Sequence, residues 1–399
     1  MPAATRSLAR PFADSSASTI VAGFIAMLTG YTSSLVLMFQ AGQAAGLSSA
    51  QISSWIWALS IGMAICSIGL SMRYHTPVVI AWSTPGAALL ISSLPGVPYA
   101  EAIGAFIFAS LLIALCGLTG SFERLMRKVP ASLAAALLAG VLFNIGSEIF
   151  RAVKVQPLLV LAMFFSYLLA KRLAPRYAVL SALLVGCALS AALGLLDFRQ
   201  LSLQIAVPVW TTPSLSIAAV FSIGIPLFVI AMASQNMPGL AVLRAEGYQV
   251  PASPLISVTG IASVLLAPFG SHGIHLAAIT MAICSGPEAH PDRDMRWPAP
   301  TAAGVVYLLL AGAASLAAAF IAAAPPVLIQ AVAGLALLSS LAAALSGALA
   351  DEEVRLPAIF TFVTTASGIT IAGLGGPFWG LLGGIAILLL LRTGRITAR

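Results

Sequence analysis

The chain has 399 residues, 60% of them hydrophobic and 8% charged. Soluble domains carry about 25% charged residues, so this deficit excludes a soluble globular protein and a soluble enzyme held by one anchor. The formal charge of +7 comes from basic residues scattered between apolar runs, which excludes the clustered basic face that a nucleic-acid partner requires.

What remains is an all-α polytopic membrane protein. Continuous runs such as LLIALCGL and ILLLL favour helices over the alternating strands of a membrane barrel. The polar start MPAATRSLARPFADSSAS precedes an apolar run too long for a signal-peptide core, so no cleavage is expected. With Pro, Gly and charges as breaks, and about 20 apolar residues needed per crossing, the chain divides into fourteen segments. They lie near 18–40, 51–71, 76–93, 99–119, 130–149, 153–171, 176–195, 214–238, 252–267, 271–286, 299–322, 324–345, 355–373 and 376–392. Cys66, Cys116, Cys187 and Cys284 are scattered in these runs without paired spacing, and read as small buried hydrophobes.

Placing the N-terminus in the cytoplasm puts sixteen basic residues inside: Arg6, Arg10, Arg73, Arg124, Arg127, Lys128, Lys171, Arg172, Arg176, Arg244, Arg293, Arg296, Arg355, Arg392, Arg395 and Arg399. Arg151, Lys154 and Arg199 are left outside. This bias predicts cytoplasmic tails at 1–17 and 393–399. Seven plus seven segments give two halves, 18–205 and 206–392, divided in the amphipathic stretch 197–213. An odd number of spans per half makes the second half enter from the opposite side, as in an inverted repeat.

Short, Gly/Pro-interrupted segments at matching places in two such halves point to a binding site. The third segment, HTPVVIAWSTPGAALLISS, and the tenth, APFGSHGIHLAAITMAICSG, form such a pair. VVIAW has strand character. Ser83 and Thr84 before Pro85 make a helix start, and Gly270, Ser271 and Gly273 are expected to do the same in the second half. Two half-helices starting near the midplane would aim backbone N–H groups into one cavity, an anion site built without charged side chains. No Asp or Glu falls in mid-span, and Glu101 and Glu148 stand at predicted segment ends. The eighth segment ends in MASQNMPG, where Ser234, Gln235 and Asn236 bring polar groups and Pro238 and Gly239 permit a kink. The first segment has a matching polar patch, TGYTSS, from Thr29 to Ser34.

The stretches MASQNMPG, PFGSHGIHLAAITMAICSGPEAHPD and TPVVIAWSTPGAALL resemble signatures of the benzoate membrane transport family, the benzoate:proton symporters. That family is similar, distantly, to uracil permeases and sulfate-type anion transporters. The resemblance implies a core of segments 1–4 and 8–11, a gate of segments 5–7 and 12–14, and cargo between the third and tenth segments beside the eighth. It also implies a bacterial inner (plasma) membrane and makes a homodimer through the gate domain the assembly to test. Uracil permeases carry glutamates on their eighth and tenth segments. Here the matching regions hold Gln235, Asn236, Ser271 and His272, a neutral pocket better suited to an anion.

The expected function is therefore import of an aromatic carboxylate such as benzoate with a proton, by alternating access. The expected cargo shell is Tyr31, Ser83, Thr84, Ser234, Gln235, Asn236, Gly270, Ser271 and His272. Tyr31 is expected to line the ring pocket, and His272 is the candidate proton carrier because histidine titrates in the useful range. Serines and threonines in such helices commonly bond their own backbone instead. A hydrolase built on Ser271, His272 and His275 lacks a nucleophile elbow and a third triad member. A metal site on His272, His275 and His290 lacks a carboxylate or cysteine at fixed spacing. Catalytic residues, metals and cofactors are accordingly not expected. A channel would need a continuous polar lining, whereas the same fold with another small anion or a nucleobase as cargo stays open.

Overall fold

A computed structural model describes residues 14–122, 124, 130–196 and 206–396. Arg6, Arg10, Arg127, Lys128, Arg199 and Arg399 of the charge count, most of the N-terminal tail, the last three residues and the proposed repeat boundary at 205 lie outside them. The described chain is mostly helical. Helix α1 spans Ala17–Ala44 and opens with a capping box between Ser16 and Thr19. Then come α2 (Ser49–Tyr74), strand β1 (Ile80–Trp82), α3 (Thr84–Ser93) and α4 (Tyr99–Leu118). Next are α5 (Ala131–Val155), α6 (Pro157–Leu173), α7 (Ala178–Ala192), the composite helix α8 (Ile217–Ala245) and α9 (Ala252–Leu266). Strand β2 (Ile274–Leu276), α10 (Ala278–Ser285), α11 (Pro298–Gly312), α12 (Ala314–Ala322) and α13 (Pro326–Leu349) follow. The chain ends with α14 (Arg355–Ala366), the short hairpin β3 (Thr370–Ile371) and β4 (Leu374–Gly375), and α15 (Gly376–Ile396).

Each of the fourteen expected segments thus holds helix, and among the described residues seven helices are long and apolar enough to cross a membrane. The eleventh segment is two helices broken at Ala313. The fifth runs six residues beyond its expected end, to Val155. That extension moves Glu148 from a segment end to two turns inside a helix.

The third and tenth segments are interrupted as expected, with one correction. Ser83 caps α3, its hydroxyl accepting from the Gly86 N–H at 2.9 Å, with Pro85 in the first turn. The second half-helix does not start at Gly270–Gly273. Those residues form the turn before β2, and α10 begins at Ala278 with the extended residue Ala277 as its cap. Gly270 (φ +109°) and Gly273 (φ +128°) supply backbone angles closed to other residues, so their role is to turn the chain, not to cap a helix.

β1 and β2 pair antiparallel, Ile80 opposite Leu276 and Trp82 opposite Ile274. A two-stranded ribbon buried among helices has two open edges, whose polar groups are costly to leave unpaired. Neighbouring helices close them. On the β1 side, Ser67 accepts from the Ile80 N–H at 3.0 Å and Ser71 both accepts from Val78 N–H and donates to its carbonyl. On the β2 side, Ser263 accepts from the Ile274 N–H at 3.0 Å and the Asn236 amide oxygen from the Leu276 N–H at 3.2 Å. Ser67→Ala is expected to orphan the buried Ile80 N–H and cost about 1–3 kcal/mol, read as a lower thermal midpoint in detergent. An unchanged midpoint would remove the edge-closing role.

Helix α8 carries two π-helical turns, Val220–Gly224 and Met232–Asn236, each ending two residues before a proline, Pro226 and Pro238. Proline lacks an N–H and its ring clashes with the carbonyl four residues back, and a widened turn relieves both. At Gly239 a Cβ would lie 2.5 Å from the Leu276 Cβ, so the bare glycine is what lets β2 pass against α8. At its far end α10 is held by Arg296. This buried guanidinium donates to the last carbonyl of the helix, Ser285 (2.6 Å), and to the His290 carbonyl (2.8 Å), a cation at the negative end of the dipole.

Candidate functional site

The site is built where one turn of α1, Gly30 to Ser34, lies between the starts of α3 and α10. Ser34 and Thr84 share a hydrogen bond at 2.5 Å between their hydroxyls. On the other side a Cβ at Gly30 would sit 3.3 Å from the Thr280 methyl. Tyr31 between them is buried, with its ring centroid 4.7 Å from Trp82 and 6.3 Å from Tyr307. Its hydroxyl shares a hydrogen bond with Ser60 at 3.1 Å. Unlike α3, α10 starts with no side-chain cap hydrogen bond, so the N–H groups of its first turn receive none from the cap residue Ala277. The arrangement offers backbone donors and the positive end of a helix dipole beside three aromatic rings, chemistry that suits a small anion with an apolar body.

The three polar residues of MASQNMPG part company. The Ser234 hydroxyl folds back onto the Ile230 carbonyl at 2.6 Å. Asn236 is fully buried and tied to Leu276 and to the Met232 sulfur. Gln235 is half-buried, and among the described residues its amide has no hydrogen-bond partner.

His272 joins two elements through both ring nitrogens. Trp55 Nε1–H donates to Nδ1 at 3.2 Å, and Nε2 lies 3.2 Å from the Ser83 carbonyl. One nitrogen must accept and the other must donate, so the ring is the neutral Nε2–H tautomer. A second proton at Nδ1 would face the Trp55 N–H, donor against donor. Gly270 packs on Trp55, where a Cβ would come within 2.9 Å of the Trp55 Cβ and of the Tyr99 hydroxyl. Ser271 is buried, and its hydroxyl has no hydrogen-bond partner among the described residues. Of the expected shell, the structure therefore gathers Tyr31, Ser83 and Thr84 at the α1–α3 crossing. Asn236 holds the ribbon at Leu276, while His272 ties α2 to the start of α3 and Gly270 packs on Trp55.

Ser60, Trp82, Thr280 and Tyr307 were not among the expected site residues. Thr280 becomes visible only when α10 is started at Ala278. Tyr307 and Ser60 arrive from other helices, and no local pattern marks them.

The sequence model of the benzoate membrane transport protein family matches residues 13–390. The chain is 46% identical over 366 residues to the inner membrane protein YdcO of Escherichia coli (strain K12), covering 92% of this chain and 94% of that protein. It is 40% identical over 380 residues to the benzoate membrane transport protein of Acinetobacter baylyi, covering 95% and 96%. Among solved structures, it superposes on SLC26A9 with a TM-score of 0.65 at 13% identity, covering 94% of this chain and 66% of that one. It superposes on the transmembrane domain of the cyanobacterial bicarbonate transporter BicA with a TM-score of 0.58 at 15% identity, covering 92% and 97%. The similarity to these two is one of fold. The family and the Acinetobacter relative are membrane transport proteins, not enzymes, and the chain is a multi-pass membrane protein.

Proposed function

This chain belongs to the benzoate membrane transport family, and on that premise we propose that it imports benzoate or a similar aromatic carboxylate with a proton, by alternating access. The observation that carries this reading is the start of α10, free of any side-chain cap and set across α1 from α3 beside Tyr31, Trp82 and Tyr307. The carboxylate is held by the half-helix N-termini, with Ser83, Thr84 and Thr280 at their rims, and the ring lies against the aromatic group. Gln235 completes the polar shell, while Ser234, Asn236, Gly270, Ser271 and His272 shape it. Moving one negative charge inward against 100 mV costs about 2.3 kcal/mol, and a co-transported proton cancels that cost.

The wider arrangement follows the same reading. Fourteen segments form a 7+7 inverted repeat in the inner membrane with both termini cytoplasmic. The core is α1–α4 with α8–α12, the gate is α5–α7 with α13–α15, and two copies pair through their gates. His272 serves as the neutral bridge between segments. It carries the proton only if its Trp55 bond opens in the cycle, and proton-driven uptake with an unchanged pH profile in His272→Gln would leave it the bridge alone.

The test is uptake of labelled benzoate into proteoliposomes, with pH gradient and membrane potential imposed separately. Saturable uptake driven by inward-directed protons is expected. Without accumulation, or displacement by other aromatic acids, the cargo assignment falls. A same-fold carrier for another small anion or a nucleobase then takes its place.

A further inference from the structure

A cavity of about 450 Å³ lies between the C-terminal ends of α1 and α3 on one side and α5 and α13 on the other. It is distinct from the α1–α3 crossing. Gln40, on its wall, is nine residues from Tyr31, about 14 Å along the helix at 1.5 Å per residue. Four amides line it, from Gln40, Gln43, Asn144 and Gln330, with aliphatic wall from neighbours such as Ile329. Glu148 is the one carboxylate on it.

That lining has two parts with different chemistry. Amide N–H groups and an apolar wall suit an aromatic carboxylate. A second carboxylate does not, unless a proton comes with it, because two carboxylates sharing one site cannot both ionise without strong repulsion. Glu148 is placed to meet that condition. It sits two turns inside α5 on the cavity wall, and its side chain is 34% exposed. Its ion-pair partner Arg151 is 75% exposed, a surface pair that is readily exchanged. Among the described residues no other charge faces it. Helices α1, α3 and α13 carry no charged residue, and neither does the π-helical turn of α8 that touches α5. Lys171 of α6 is engaged by Ser339 of α13, which also meets the Tyr167 hydroxyl. Arg355 and Arg392 lie toward the Ala131 end of α5, where Gly384 packs on Leu133. Lys154 is six residues on along the same helix.

We propose that this cavity is the outer capture station of the carrier, in which Glu148 and the cargo carboxylate share one proton taken from the external water. When cargo moves inward the proton leaves Glu148 with it, so one carboxylate and one proton cross together and Glu148 returns to its pair with Arg151. This rests on the transport reading above.

The experiment compares wild type, Glu148→Gln and Glu148→Asp in proteoliposomes. The apparent KM for external benzoate is followed as external pH rises, together with accumulation on an inward proton gradient, and the thermal midpoint in detergent is the control for folding. Wild type and Glu148→Asp are expected to lose affinity with a slope approaching about tenfold per pH unit, the limit for one proton bound with cargo. Glu148→Gln is expected to stay within about twofold over the same range, because its amide donates to the carboxylate without a proton, and to lose proton-driven accumulation. A wild-type slope in Glu148→Gln overturns the proposal and leaves the transport reading intact. So does proton-driven accumulation at the wild-type level in that variant, because the proton would then enter on another group. Absence of benzoate uptake in wild type overturns both.

Discussion

His272→Ala is expected to abolish transport and to cost about 3–5 kcal/mol of stability, from an unpaired buried donor and the void left by the ring. The ring is 2% exposed and is the point where α2, the start of α3 and the turn before β2 meet. Its loss strands the Trp55 N–H in an apolar site. The Ser83 carbonyl suffers less, because it also accepts from the Ala87 N–H at 2.8 Å. The damage therefore centres on Trp55, and the variants Trp55→Phe and His272→Ala should be strongly non-additive, since each alone breaks the same bond. Thermal unfolding of the four proteins of this cycle in detergent measures it. Additive losses would mean that the two rings act independently and that the bridge is not what holds the half-helix. Trp55→Phe also separates bridge from proton carrier. It frees Nδ1 without removing the imidazole, so a carrier would keep its pH-dependent uptake and a bridge would lose rate at every pH.

Much of this architecture was legible in the sequence because membrane burial writes long signals. Helix in each expected segment and the two broken segments follow from the cost of exposing backbone to lipid. Ser83-Thr84-Pro85 announced a helix start because capping chemistry is local. The matching start in the second half was misplaced by about two turns for the same reason. Gly270, Ser271 and Gly273 look like a cap, but two of them are glycines at positive φ serving a turn, and the true cap is Ala277, which has no side-chain signal. Ser67 and Ser263 were equally silent. A helical serine that closes a strand edge is, in sequence, the same as one that bonds its own helix, and only the pairing of β1 with β2 tells them apart. Glu148 was read as a terminal residue because nothing in the sequence marks α5 as continuing through Arg151 and Lys154 to Val155.

Gln235 and Asn236 are adjacent and chemically alike, yet their alanine variants should fail in different ways. Asn236→Ala removes the one side chain among the described residues that closes the β2 edge at Leu276. The orphaned N–H costs about 1–3 kcal/mol. The ribbon is also loosened where it leads into α10, so transport rate and stability should fall together. Gln235→Ala removes an amide with no hydrogen-bond partner among the described residues, on a half-buried position of the π-helical turn. Its stability cost should be within about 0.5 kcal/mol, as for a side chain away from packing or buried bonds. Its effect should fall on cargo instead, as a rise in apparent KM of about tenfold for one lost hydrogen bond to a charged group. The π-helical turn explains the division. Widening α8 before Pro238 turns one amide toward β2 and leaves its neighbour open. Thermal midpoints and benzoate KM measured on both variants decide it. If Gln235→Ala unfolds like Asn236→Ala, the pair is a structural clamp, and the cargo's polar partners must then be sought at Thr84 and Thr280. If Asn236→Ala keeps its midpoint, closing the β2 edge at Leu276 matters less than the buried geometry implies, and the ribbon is held by its pairing with β1 and by Ser263.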